Sequence, residues 1–220
     1  MRQFDMQPTP LLLDSRVAAV HHATKGFMPA DEGQALFEWA ATAAGSGLGP
    51  LLEIGTYCGK SALLLGAAAR VGGTVAFSID HHRGSEENQA GWEHHDVEVV
   101  DARTGRMDTL PFARRALFDA GLEQSVILVL GESVAVATHW STPLAFCFID
   151  GGHAEDIAMG DYESWVPKLS PEGLLAIHDV FERPEDGGQA PFHVWQRAID
   201  EGFLPLDEQG SLRVLRGPSR

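Results

Sequence analysis

With 220 residues and 23.8 kDa, of which 44% are hydrophobic and 21% charged, the chain has a globular makeup that excludes a disordered polymer or a fibre. Mean hydropathy is −0.08, the longest apolar runs (62–69 and 145–149) fall far short of the roughly 20 residues of a membrane helix, and the N-terminal MRQFDMQPTPLLLDSR lacks the apolar core of a secretory signal, so a cytoplasmic protein with no membrane partner is expected. Thirty-one acidic against 16 basic residues give a net charge of −15, which repels nucleic-acid phosphates and anionic lipid, so no nucleic-acid partner is expected either.

In chain order, Ala35, Leu36, Trp39 and Ala40 mark a helix over 31–44, ended by Gly45, Gly47 and Gly49. A short buried strand, 51–54, leads into a turn at 55–59 and an Ala/Leu-rich helix at 61–70, stopped by Gly72 and Gly73. A second strand, 74–79, ends on Asp80. Residues 81–108 are polar, carry His81, His82, His94 and His95, and have no clear period; they read as a solvated, lid-like insertion. A helix at 110–120, a strand at 126–130, a helix at 134–138 and a strand at 145–149 follow, the last ending on Asp150. Then come a helix at 157–166, a strand at 174–177 ending on His178-Asp179, a Pro/Gly-rich loop at 182–191 and a helix at 192–201. Segments 203–206 and 212–215 flank a Gln209-Gly210 turn and predict a terminal antiparallel hairpin.

The alternation predicts a parallel sheet with crossover helices in a single domain, 1–220, in which 1–50 forms an N-terminal helical cap. Four strand ends carry polar groups: Asp80, Gly131-Glu132-Ser133, Asp150 and His178-Asp179. Ligands of open α/β sheets sit at the carboxyl ends of the strands, so these residues should meet in one cleft. Two cysteines, Cys58 and Cys147, are too few for a disulfide framework or a four-cysteine zinc site and read as buried free thiols.

The loop Glu53-Ile-Gly55-Thr-Tyr-Cys-Gly59-Lys-Ser61 joins a strand to a helix. A P-loop needs four residues between its glycines; here there are three, and Glu53 would repel phosphate. The dinucleotide fingerprint needs a second glycine where Tyr57 stands, which disfavours an NAD-linked oxidoreductase. A nucleoside ligand without polyphosphate fits better, since Asp80 is placed after the next strand, where an acid can reach ribose hydroxyls.

On these residues the chain resembles the class I S-adenosylmethionine-dependent methyltransferases. Ala23-Thr-Lys25-Gly26-Phe-Met28 and Gly131-Glu-Ser133 are similar to segments of the catechol O-methyltransferase group. Phe148-Ile-Asp150-Gly-Gly-His153, Asp161-Tyr162 and Ile177-His178-Asp179 resemble the metal-dependent sugar O-methyltransferases of the macrocin type, and more narrowly a bacterial mannoside 1-O-methyltransferase of methylated-polysaccharide synthesis. The resemblance implies a Rossmann-like α/β fold: a seven-stranded, mostly parallel sheet with a C-terminal antiparallel hairpin and helices on both faces. It implies S-adenosylmethionine as cofactor, closed over by Lys25, Gly26 and Met28. Glu53 would lie by the amino-acid end, with Gly55, Tyr57, Gly59 and Ser61 as the floor. Asp80 would take both ribose hydroxyls, Ser133 would meet adenine, and Asp150 would border the cofactor. It implies a divalent metal, with Mg²⁺ the expected ion, on Asp150 and Asp179, and a homodimer.

Methyl transfer to an alcohol needs in-line approach, loss of the hydroxyl proton and stabilisation of the alkoxide; a metal helps where the hydroxyl is a weak acid. Mg²⁺ prefers carboxylates and water. His178 stands where the family often has another acid, and imidazole suits softer ions, so His178 is either a third ligand or a neighbour of the site. His153 stands where the catechol group has its basic lysine, and an imidazole can take a proton at physiological pH, which makes it the candidate catalytic base. The expected acceptor is a small hydroxylated molecule, a saccharide; a catechol or phenol is the alternative. Trp92, Trp140 and Trp195 could stack on a sugar, though the apolar contexts of Trp140 and Trp195 favour core packing.

Overall fold

The computed structural model describes residues 7, 8, 10–85, 88 and 95–219. Trp92 and His94 lie outside the described residues. The chain opens with helices α1 (Ser15–Ala23) and α2 (Ala30–Ala44), then alternates β1 (Leu51–Ile54), α3 (Lys60–Gly72) and β2 (Ala76–Asp80). Two short strands, β3 (Val100–Asp101) and β4 (Arg106–Met107), precede α4 (Leu110–Ala120), β5 (Val126–Leu130), α5 (Ser133–Thr138) and β6 (Leu144–Ile149). The chain closes with α6 (Glu155–Trp165), β7 (Leu169–Ile177), α7 (Ala190–Asp200), β8 (Leu204–Gln209) and β9 (Leu212–Arg216).

Among the described residues the main sheet has seven strands in the order β5-β2-β1-β6-β7-β9-β8, and β3 and β4 pair separately. Its pairs are parallel except those of β9, which runs antiparallel to both β7 and β8, as the expected hairpin requires. Strand β6 and the 174–177 part of β7 are apolar on both faces, as a parallel sheet covered by crossover helices demands. Phe146, Phe148, Leu174 and Ala176 pack with α2 and α3, while Cys147, Ile149, Leu175 and Ile177 pack with α6 and α7. Cys58 and Cys147 are buried free thiols. No helix among the described residues is long and apolar enough to cross a membrane.

Three departures from the sequence expectation have local causes. Helix α1 is not predicted by the apolar pattern: Val17 is its one fully buried residue, so the stripe is thin. What builds it is the Asp14 cap, which accepts from the Arg16 and Val17 amides, and the Arg16 side chain, which donates to the Asp119 and Phe118 carbonyls at the end of α4. Strand β7 starts at Leu169 rather than 174 and carries Pro171, Glu172 and Gly173 through a register shift against β6, with Glu172 at φ 64°. The insertion is not uniformly solvated: His82, Val99 and Met107 are buried, and His82 Nδ1 pairs with Thr109 Oγ1 at 2.7 Å. Trp140 packs edge-on against Phe77 and Trp165, and Trp195 stacks on Phe192, so both are partly buried against the core.

The sheet register positions the strand ends. Ile54 pairs with Ile79 and Ile149, and Ile149 pairs with Ile177. The next residues, Gly55, Asp80, Asp150 and His178, therefore emerge side by side.

Candidate functional site

These strand ends border a cleft of about 860 Å³. The β1–α3 loop forms one wall. Gly55 sits at φ 96°, and a Cβ there would lie 2.0 Å from the Asp150 carbonyl oxygen, so the close approach of the β1 and β6 ends needs glycine. Tyr57 adopts φ 47°, an uncommon backbone for a side chain of its size, and its ring lies 5.5 Å from that of Phe27 across the rim. The loop is held by Asp80. Its Oδ2 accepts the amides of Thr56 (3.0 Å) and Tyr57 (2.8 Å), and its Oδ1 accepts that of His82 (2.6 Å). A carboxylate offers about four lone-pair sites, so Asp80 has room for about one further donor, not two, in this arrangement.

Beneath this wall Glu53 is fully buried. Ser78 Oγ donates to its Oε1 at 2.5 Å and also meets Thr56 Oγ1 at 2.5 Å. Burial pushes the Glu53 carboxyl up to about 8, against the hydrogen bonds of Ser78 and Ser61, with smaller upward contributions from Asp150 and Asp80. At the far wall Ser133, at the start of α5, accepts Trp165 Nε1–H at 2.7 Å. Its neighbour Asp161 is raised by burial to about 6, despite a hydrogen bond with Ser133.

The β6–β7 end is a cluster of ionisable side chains. His178 is buried and uses both ring nitrogens: Nε2 lies 2.6 Å from Glu32 Oε2, and Nδ1 lies 3.0 Å from Asp150 Oδ1 and 3.4 Å from Asp179 Oδ2. Burial alone would lower its pKa, but the carboxylates of Asp150, Asp179 and Glu32 push it up. Asp179 stands at φ 55° and takes His153 Nε2 at 3.2 Å. Burial would raise Asp179, yet hydrogen bonds from His153 and His178 hold it well below the usual carboxylate range. Asp150 is raised, chiefly by burial.

Asp150, His178 and Asp179 each offer one ligand atom, all within 4.8 Å of one another. Two carboxylates and an imidazole whose far nitrogen is bonded to another carboxylate form a donor set suited to a divalent ion.

Of the residues singled out from sequence, Gly26, Met28, Gly55, Tyr57, Ser61, Asp80, Ser133, Asp150, His153, His178 and Asp179 line this one cleft. Three lie away from its lining. The Lys25 ammonium is drawn to Asp96 and Glu98, 2.5 Å from each carboxylate. Glu53 lies below the floor. Gly59 backs onto α4, where a Cβ would stand 3.2 Å from Ala113 Cα. His81 lines the cleft, and His95 pairs with the Asn88 carbonyl instead.

Sequence reasoning does not single out Glu32. An acid in the first turn of α2 reads as a partner of the helix dipole. The available signal is its phase: Glu32 falls one turn before Leu36 and two turns before Trp39 and Ala40, on the buried stripe.

A protein family described as "Methyltransferase domain" matches residues 52–180, from β1 past the Asp179 end of β7. The fold is similar to that of solved structures at low identity. The O-methyltransferase NovP has a TM-score of 0.65 at 15% identity over 86% of this chain and 80% of that one. An O-methyltransferase from Bacillus cereus in complex with SAH has a TM-score of 0.62 at 16% identity, over 92% of this chain and 91% of that one. The O-methyltransferase TomG from Streptomyces achromogenes, in complex with SAM, has a TM-score of 0.63 at 16% identity, over 94% of this chain and 91% of that one.

Proposed function

Since the chain belongs to the methyltransferase-domain family, we propose that it moves the methyl group of S-adenosylmethionine to a hydroxyl of a small acceptor, a saccharide, with help from a divalent metal. The observation that carries this reading is that the β1–α3 loop and the Asp150–His153–His178–Asp179 cluster share one cleft inside the matched segment. The SAH and SAM complexes of the similar O-methyltransferases support the cofactor and the reaction class. The resemblance of 148–153 and 177–179 to sugar O-methyltransferases supports the acceptor.

In this reading Gly26, Met28, Gly55, Tyr57 and Ser61 bind the cofactor, with Lys25, Glu53 and Gly59 shaping the site from behind. The open site on Asp80 takes a ribose hydroxyl, and Ser133 borders adenine. Asp150, His178 and Asp179 would hold the metal. A bound divalent ion supplies charge that lowers the pKa of the acceptor hydroxyl and orients it. His153, whose Nε2 lies 3.2 Å from Asp179 Oδ2, takes the acceptor proton. The aromatic rim of Phe27 and Tyr57 limits water at the methyl group. Residues 1–220 act as one domain, with 1–50 as its cap and 81–108 as its lid, spans that lie in part outside the described residues. The same reading carries a cytoplasmic homodimer, which size-exclusion chromatography checks.

Calorimetry with S-adenosylhomocysteine, NAD and ATP tests the cofactor. Methyl transfer to panels of saccharides and catechols, with and without a chelator, tests the rest. The expected result is S-adenosylhomocysteine binding and chelator-sensitive saccharide methylation. Binding of NAD alone would sink the reading, and preferential turnover of catechols would move the acceptor to that class.

A further inference from the structure

Among the described residues, the one buried carboxylate at the reacting end that comes from outside the matched segment is Glu32, on α2. It is 5% exposed and is fixed from two sides. From the β8–β9 turn, the Ser211 amide donates to Oε1 at 2.7 Å and the Ser211 hydroxyl bonds the same carboxylate. Gly210, at φ 54°, lets the turn press in so closely that a Cβ there would stand 2.1 Å from Oε1. With its carboxylate pinned, Oε2 faces His178 Nε2 at 2.6 Å.

This contact decides which ring nitrogen of His178 is available. A carboxylate only accepts, so the nitrogen facing Glu32 must carry hydrogen. Nδ1 is then the atom turned to Asp150 and Asp179, and it becomes a donor atom once a divalent cation displaces its proton. A carboxylate behind a ligating imidazole fixes tautomer and ring orientation. Imidazole nitrogen discriminates for first-row transition ions and against Mg²⁺. We propose that Glu32 is a positioning residue that presents His178 Nδ1 to the Asp150–Asp179 site, and so tilts that site towards a transition ion such as Co²⁺ over Mg²⁺. This rests on the reading of Asp150, His178 and Asp179 as metal ligands.

The test is binding of Co²⁺ and Mg²⁺ to the full chain, by calorimetry and by the visible absorption of bound Co²⁺, without acceptor or turnover. Glu32→Gln can offer an amide N–H to Nε2 and release the tautomer. It should weaken Co²⁺ about 10–100-fold and Mg²⁺ by less than about threefold, and alter the Co²⁺ spectrum. Glu32→Asp keeps the charge but draws the carboxylate back by one methylene, and should shift the Co²⁺/Mg²⁺ ratio in the same direction. Thermal unfolding and S-adenosylhomocysteine binding of both variants report whether the fold is kept. Equal losses for both ions, or an unchanged ratio and spectrum in a folded variant, would overturn the role of Glu32 while leaving the metal reading intact. Failure of the wild-type chain to bind either ion would overturn both.

Discussion

At the β2 end of the cleft one carboxylate gathers backbone amides, whereas at the β6–β7 end several carboxylates share two imidazoles. Asp80 holds the main chain of residues 56, 57 and 82. Its site depends on loop conformation, and changing it changes shape and binding together. Asp150 and Asp179 are held by His178 and His153 through side chains, and Glu32 by His178 and by Ser211 of the β8–β9 turn. Their geometry depends on charge balance, so removing one member leaves the others uncompensated. The first end suits a ligand recognised by shape and hydrogen bonds; the second suits proton and cation chemistry.

The contrast breaks most visibly at His153. His153→Ala should cost roughly 10²–10⁴ in methyl-transfer rate, the usual worth of a general base, and leave S-adenosylhomocysteine affinity near wild type. Its residual rate should climb with pH as hydroxide takes over the proton. A wild-type rate in this variant would remove His153 from the chemistry. The charge-balance argument is tested by His178→Leu, which removes the partner that three carboxylates share. Urea unfolding should show a loss of about 3–5 kcal/mol, and a loss below about 1 kcal/mol would mean that the cluster does not need its shared histidine.

Glu53 sharpens the comparison, because it is an acid buried between the two ends. Its carboxyl titrates near 8 when folded, against an ordinary value of 4.5. The folded state therefore holds the proton more tightly, and this group erodes stability as pH rises from 4.5 towards 8. Glu53→Gln should abolish that component, so that the melting temperature of the variant falls less than that of the wild type between pH 5 and pH 8. Parallel curves would show that Glu53 is not the buried acid that matters. The smallest effect is expected at Asp80. Asp80→Asn keeps an acceptor for the loop but loses the charge, and should weaken S-adenosylhomocysteine about tenfold, one charge-assisted hydrogen bond. It should also make the 81–85 segment cleave faster in limited proteolysis. Unchanged affinity would confine Asp80 to holding the loop.

Much of this arrangement is legible in the order of residues. Strands β1 and β5 and helix α4 begin and end where the apolar runs meet their breakers, because both faces of these elements are set by local pattern. The convergence of Asp80, Asp150 and His178 follows from strand ends alone, since register in a parallel sheet brings them level. The direction of a loop side chain is not legible. Lys25 turns to Asp96 and Glu98, some 70 positions away in sequence, and no local pattern encodes that choice. Nor is the partnership of Asp80 with the loop, because three backbone amides leave no trace in residue identity. Glu32 sits between these cases: its helical phase marks it as inward-facing, but its partners, His178 and Ser211, come from β-strand ends far along the chain.

The placement of β9 bears on the order in which the molecule can be assembled. It lies between β7 and β8 although it is the last strand in sequence, and the turn leading into it brings Ser211 to Glu32. During synthesis on a ribosome, β7 therefore keeps an open edge, and the carboxylate behind His178 lacks its amide donor, until residues 211–216 have left the exit tunnel. Contacts of such long sequence separation form late and slowly. A nascent chain halted after α7 would hold nearly every residue of the cleft and still present an unfinished reacting end.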